Sequence, residues 1–119
     1  MIDANRYPLP EIETMTKANR KIGLGVMGFA DLLIEMGIAY ASPEAEAVAQ
    51  DVMQVVQESA VEASRELAAP RGAFANFDHS VYARRGEPAR RNATVTAIAP
   101  TGSVAIIAGV SSGVEPLFA

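Results

Sequence analysis

The chain has 119 residues, half of them apolar, with 10 basic against 14 acidic side chains for a net charge of −4. One domain at most is expected at this length, and the weakly acidic balance argues against a nucleic-acid binder, which needs a basic stripe. No cysteine and one histidine, His79, exclude disulfides, thiol nucleophiles, thiyl radicals and Cys zinc sites within this chain.

Residues 1–9 show little periodicity and form an irregular lead-in. Pro10 suits a first helical position, and Glu11 and Glu13 would then lie in the first turn, where the helix dipole favours them; a helix is expected over about 10–20. Apolar residues at 22, 26, 29, 30 and 33 have helical spacing and predict a helix over 22–36, stopped by Gly37. Glycines at 23, 25 and 28 weaken its first half by about 1 kcal/mol each, so packing must require it. Ser42-Pro43-Glu44 is a strong helix start. The helix should run over 43–68 with Ala45, Val48, Ala49, Val52, Val56, Ala60, Ala63 and Leu67 as its buried stripe.

Residues 73–91 are expected to be a long connection, which in a compact domain usually serves function or packs on something else. It carries Arg84, Arg85, Arg90 and Arg91, a cluster that could hold a phosphate or carboxylate or form structural ion pairs. Thr94 to Ala99 is β-branched and alternating, hence a strand over about 94–99. Pro100-Thr101-Gly102-Ser103 is a turn, followed by an apolar helix from about 103. No apolar run approaches the roughly 20 residues of a membrane span, and no signal peptide is present, so no membrane partner is expected and the cytoplasm is the default compartment.

Three motifs carry candidate chemistry. Gly23-Leu24-Gly25-Val26-Met27-Gly28 fits G-x-G-x-x-G, but a dinucleotide site needs a strand just before it, and Lys17 to Lys21 is helix-compatible. The competing explanation is that Gly25 and Gly28 admit another backbone. His79 lacks convergent partners for a catalytic or metal role. The sharpest feature is Ala99 to Ser103: strand, tight turn, helix start. Such a turn presents unpaired backbone N–H groups to an anion. Gly102 would let a phosphate approach the main chain, with Thr101 and Ser103 adding hydroxyls. No Lys follows, so it is not a Walker loop. The alternative is an ordinary strand–helix turn capped by Ser103.

Two blocks also resemble a known family. Asn19-Arg20-Lys21-Ile22-Gly23-Leu24-Gly25-Val26-Met27-Gly28-Phe29-Ala30-Asp31-Leu32-Leu33 is similar to a hallmark stretch of the ribonucleotide reductase large chain. Asn92-Ala93-Thr94-Val95-Thr96, Ile98-Ala99-Pro100-Thr101-Gly102-Ser103 and Ser111-Ser112-Gly113-Val114-Glu115-Pro116-Leu117-Phe118 resemble a second, in the family's order.

The resemblance implies an α/β fold in which residues 1–119 are a mostly helical segment with one or two strands of a ten-stranded barrel. The implied activity is reduction of ribonucleotides to 2′-deoxyribonucleotides through a cysteine thiyl radical. Carried onto this chain, substrate-phosphate binding falls on Thr101, Gly102, Ser103 and Val104, for a ribonucleoside diphosphate or triphosphate. Thr101-Gly102-Ser103-Val104 resembles the adenosylcobalamin-dependent type, whereas iron-dependent relatives often carry Ser-Glu-Thr-Ser. The implied cofactor is therefore adenosylcobalamin in a full-length parent, with none expected on this chain alone. The implied partners are the rest of the barrel and a second parent copy. The family's radical and redox cysteines fall outside the segment, so the chain is expected to be inactive alone, as a fragment or a degenerate remnant. A noncatalytic helical interaction module and a dinucleotide-binding oxidoreductase piece are the competing functions.

Overall fold

A computed structural model describes residues 1–117; Phe118, the end of the second resemblance block, lies outside the described residues. The element order is α1 (Pro10–Asn19), α2 (Phe29–Glu35), α3 (Pro43–Arg71), a 3₁₀ turn (Phe77–His79), α4 (Val81–Arg84) and α5 (Gly102–Ala108). None of these helices is long and apolar enough to cross a membrane. The chain divides into two compact units, one of Met1–Gly23 with Glu58–Val95, the other of Leu24–Gln57 with the stretch from Thr96 onward.

In the first unit, α1 begins at Pro10 with Glu11 and Glu13 in its first turn, and ends where Arg20 turns left-handed at φ 48°. The last carbonyls of a helix have no partner inside it, and here other segments supply the donors. The Asn76 amide donates to Ala18 O at 3.1 Å and the Ala93 amide to Asn19 O at 3.0 Å. Asn92 Nδ2 donates to Arg20 O at 2.8 Å. Asn92 is buried with Ser64. Ser64 Oγ donates to Asn92 Oδ1 at 3.0 Å and accepts from the Asn92 amide at 3.0 Å. Each buried polar group in this knot therefore replaces a lost water contact. Phe74 is buried beside it and meets Phe77 edge-on, ring centroids 5.6 Å apart. The lead-in is tied down by Arg20, whose guanidinium donates to both Asp3 oxygens at 2.9 and 2.7 Å. That fork pulls the Asp3 carboxyl down to about 2.

The second unit buries Ala30 and Leu33 of α2, Ala45 of α3 and Ala105 of α5. Ser42 Oγ accepts from the Ala45 amide at 3.2 Å, the expected cap at the start of α3. Ile98, Ile106 and Ile107 stand outward, each at least 75% exposed.

The structure corrects three expectations. The helix predicted over 22–36 begins only at Phe29, because Gly28 is left-handed at φ 79° and residues 22–27 lie outside any helix, with Leu24 in a β-bridge. A Cβ on Gly25 would lie 2.8 Å from Ala97 O, so this glycine admits a neighbouring backbone, approached from an extended chain rather than a helical face. The strand predicted over 94–99 is reduced to a single parallel bridge, Leu24 to Thr96, and no longer strand forms among the described residues. The Ala97 amide donates to Leu24 O at 3.0 Å, the slanted bonding of a parallel pair; two such segments without further neighbours make a marginal ladder. On α3, Ala63 and Leu67 are exposed, and Ser64 takes the buried position instead.

The Gly25 contact predicts a steric cost distinct from a conformational one. Gly37 has φ +68° but nothing within 4 Å of an added Cβ. In a full-length chain carrying this segment, Gly25→Ala should lower the thermal midpoint more than Gly37→Ala, by backbone overpacking toward the upper end of about 1–3 kcal/mol against about 1–2 kcal/mol for the left-handed turn. Equal midpoints would remove the backbone-approach role.

Candidate functional site

The turn between Ala99 and Ser103 is built around one strained residue. Thr101 is left-handed, φ 54° and ψ 21°, and immediately precedes α5. A non-glycine residue there is disfavoured by about 1–2 kcal/mol, so something must hold it. The Gly113 amide donates to Thr101 Oγ1 at 2.7 Å. Gly113 is itself left-handed at φ +51°, and a Cβ on it would meet Ala99 O at 2.9 Å. The loop after α5 thus lies directly against the turn, and only glycine fits at the contact.

The loop is fastened in turn to α2. Asp31 Oδ2 accepts from the Ser111 amide at 2.6 Å, and that hydrogen bond holds the Asp31 carboxyl below the usual carboxylate range. The Gly28 amide donates to Ser111 O at 2.8 Å. Tyr40 donates its hydroxyl to Val114 O at 2.8 Å.

The amides at the head of α5 are left over. Ala105 N donates to Thr101 O at 2.8 Å, the first bond of the helix. Among the described residues nothing accepts from the amides of Gly102, Ser103 or Val104, and all three residues are exposed. Ser103 does not cap the helix, and neither does the Thr101 side chain. Around Gly102 an added Cβ would meet nothing within 4 Å, and its φ is not left-handed. The fold therefore does not require glycine at 102, although it does at 113. Seven residues make only two turns of helix, so the three donors themselves, more than a summed dipole, would attract an anion.

The other candidates have structural employment. Arg90 is buried, with its guanidinium carbon 3.4 Å from the Tyr82 ring centre, and donates to Ala93 O at 2.7 Å. Arg91 donates to Arg71 O at 2.7 Å and Gly72 O at 3.1 Å, a cation on the last carbonyls of α3. Arg84 donates to His79 O at 3.3 Å; among the described residues no hydrogen bond or ion pair brings Arg85 to the others. The four arginines do not converge on a ligand. His79 is exposed and lines an open cleft of about 580 Å³ with Lys21, Asn76 and Tyr82. The Gly28 amide is occupied by Ser111 O and α1 rather than a strand ends before Ile22, which withdraws the dinucleotide geometry. No group of three or more His, Asp or Glu side chains among the described residues could hold a metal ion.

Sequence reasoning missed Asp31, Tyr40 and Gly113. Asp31 stood inside a recognised block and Gly113 inside another, but nothing in the spacing brings positions 80 residues apart together.

Residues 1–90 match the family profile described as ribonucleotide reductase, barrel domain. The chain belongs to the ribonucleotide reductase barrel family. It is 52% identical over all of its 119 residues to the vitamin B12-dependent ribonucleoside-diphosphate reductase of Mycobacterium tuberculosis, covering 17% of that protein. The protein of the same name from Thermoplasma acidophilum is 47% identical over the whole chain, which covers 15% of it. The ribonucleoside-diphosphate reductase subunit alpha of Chlamydia pneumoniae is 34% identical over 99% of the chain. The chain thus spans about one sixth of the length of the vitamin B12-dependent reductases it matches. The profile match ends before the turn at 100–103, whereas the similarity to the M. tuberculosis and T. acidophilum reductases runs through it.

The two glycines flanking Thr101 should respond oppositely to a methyl group. In a full-length reductase carrying this segment, Gly113→Ala should lower the thermal midpoint through about 1–3 kcal/mol of strain, while Gly102→Ala leaves it unchanged or raises it. A tolerated Gly113→Ala would mean the loop does not clamp the turn.

Proposed function

We propose that this segment supplies the substrate-phosphate-binding turn of a ribonucleotide reductase catalytic chain. The reaction of that chain would be reduction of a ribonucleoside diphosphate or triphosphate to the 2′-deoxyribonucleotide. The observation that carries this reading is the set of three exposed amides at Gly102, Ser103 and Val104 without acceptors among the described residues. Family membership and the reductase activity for which the relatives are named support the substrate class.

The division of labour follows from the side chains present. With no cysteine in the sequence, thiyl-radical and redox steps fall to residues outside this segment. The turn's part is positioning: the amides would donate hydrogen bonds to the phosphate oxygens, and the Ser103 hydroxyl would add a further donor. Thr101 would serve twice. Its Oγ1 accepts from Gly113, which leaves the hydroxyl proton to donate to a phosphate oxygen, and its backbone sets the angle that turns the amides outward. Anchoring the charged end of a nucleotide holds the ribose in register with the reacting group, which converts binding energy into orientation.

The relatives' name supports an adenosylcobalamin-dependent parent. No residue of this segment is assigned to that group, and no step is derived through it. A cytoplasmic, homodimeric parent completes the reading, with the remaining barrel, proposed to be ten-stranded, covering the exposed apolar side chains of α5.

A carboxylate placed at the turn tests the assignment. The space around Gly102 is open, so Gly102→Glu should fold and repel a phosphate. In the full-length reductase it should raise KM for the nucleotide at least about tenfold, a loss of about 1.4 kcal/mol in binding. Steady-state kinetics with an unchanged KM would remove the phosphate-binding role.

A further inference from the structure

Thr101 does not hold its own conformation; the loop from Ser111 to Val114 holds it, and α2 together with Tyr40 holds the loop. The sequence of contacts is continuous within the second unit. Asp31 Oδ2 takes the Ser111 amide at 2.6 Å. Two residues on, the Gly113 amide reaches Thr101 Oγ1 at 2.7 Å, and Gly113 packs so closely on Ala99 O that a Cβ would sit 2.9 Å from it. One residue further, Val114 O accepts from the Tyr40 hydroxyl at 2.8 Å. The loop is thus fastened on both sides of Gly113, which touches the turn.

The carboxylate fastening has features of a precise one. Ser111 is 5% exposed, so its amide, without Asp31, would be a buried donor with no acceptor, a costly state. Asp31 is in the first turn of α2, on a short helix whose start is itself bound to the loop by Gly28 N to Ser111 O at 2.8 Å. Ser111 is therefore gripped at both its amide and its carbonyl by residues of the same four-residue stretch, 28–31. Loosening that grip frees Gly113, and Thr101 can then relax from φ 54° toward an ordinary angle, turning the amides of 102–104 away.

We propose that Asp31 is a positioning residue for substrate phosphate: it sets the loop that keeps Thr101 left-handed and the amides of Gly102, Ser103 and Val104 facing outward. This rests on the phosphate-binding reading of the turn. Asp31 does not touch the nucleotide, and its part is exerted through Ser111 and Gly113. What matters at position 31 is an oxygen acceptor at the Ser111 amide, not the negative charge, which near a phosphate would be unfavourable.

The test compares Asp31→Ala, Asp31→Asn, Tyr40→Phe and Gly102→Glu in the full-length reductase, by steady-state kinetics with the nucleotide substrate and by thermal unfolding. Asp31→Ala should raise KM about tenfold with kcat within about twofold of the parent, the split expected when ground-state positioning is lost. Asp31→Asn keeps an oxygen acceptor and should restore KM to near the parent value. Should Asp31→Ala fail to fold, Tyr40→Phe carries the same comparison and should raise KM several-fold with kcat kept. An unchanged KM in the folded Asp31→Ala or, failing that, in Tyr40→Phe, while Gly102→Glu raises it, overturns the role of Asp31 and leaves the turn's assignment standing. A KM that Asp31→Asn does not restore overturns it too. If Gly102→Glu itself leaves KM unchanged, the phosphate assignment fails and this proposal with it.

Discussion

The hydrogen bond from the Gly113 amide to Thr101 Oγ1 is the constraint on which the site depends. A left-handed threonine is held against its own steric preference, and the price is a loop that must contain glycine and must be tied to α2. In return the chain reverses at the head of α5 without using the first three amides of the helix. Had Thr101 or Ser103 folded its side chain back as an ordinary cap, one of those donors would have been consumed. The side chain that could cap is instead committed to the loop, and the donors stay open.

A second economy operates in the first unit. The segment around Asn92 resembles a family block, and its residues prove to be an internal lock: Asn92 serves Ser64 and the end of α1 together. Arg90 and Arg91 next to it spend their guanidinium groups on backbone carbonyls and the Tyr82 face. These contacts tie Arg90 and Arg91 to the protein's own groups, so the four arginines are not gathered around one anion. The apolar side chains left bare on α5 have the opposite character. Exposed Ile106 and Ile107 fit a chain spanning about one sixth of its longer relatives, since exposed apolar area of this kind marks a surface made to be covered.

The sequence carried local information well and distant information poorly. Pro10 with its acidic first turn and Ser42-Pro43-Glu44 marked helix starts at Pro10 and Pro43, because capping and dipole effects act within one turn of the backbone. The glycine block misled, since helical spacing of its apolar residues and an extended path through Gly25 fit the same letters. What decided between them was Ala97 O, more than 70 residues away. The turn at 101–103 was visible from its small residues. The means of holding it open was not, because Asp31 and Ser111 meet only after folding, and a carboxylate in a helix gives no sign of its donor. Ser64 escaped notice for a related reason: a buried serine breaks the apolar stripe by which burial is read.

The most direct measurement is a crystal structure of the full-length reductase with a ribonucleoside diphosphate bound. The cradle predicts phosphate oxygens at about 2.7–3.2 Å from the amide nitrogens of Gly102, Ser103 and Val104, with Thr101 still left-handed. A phosphate seated elsewhere, with these amides bonded to protein carbonyls, would contradict it.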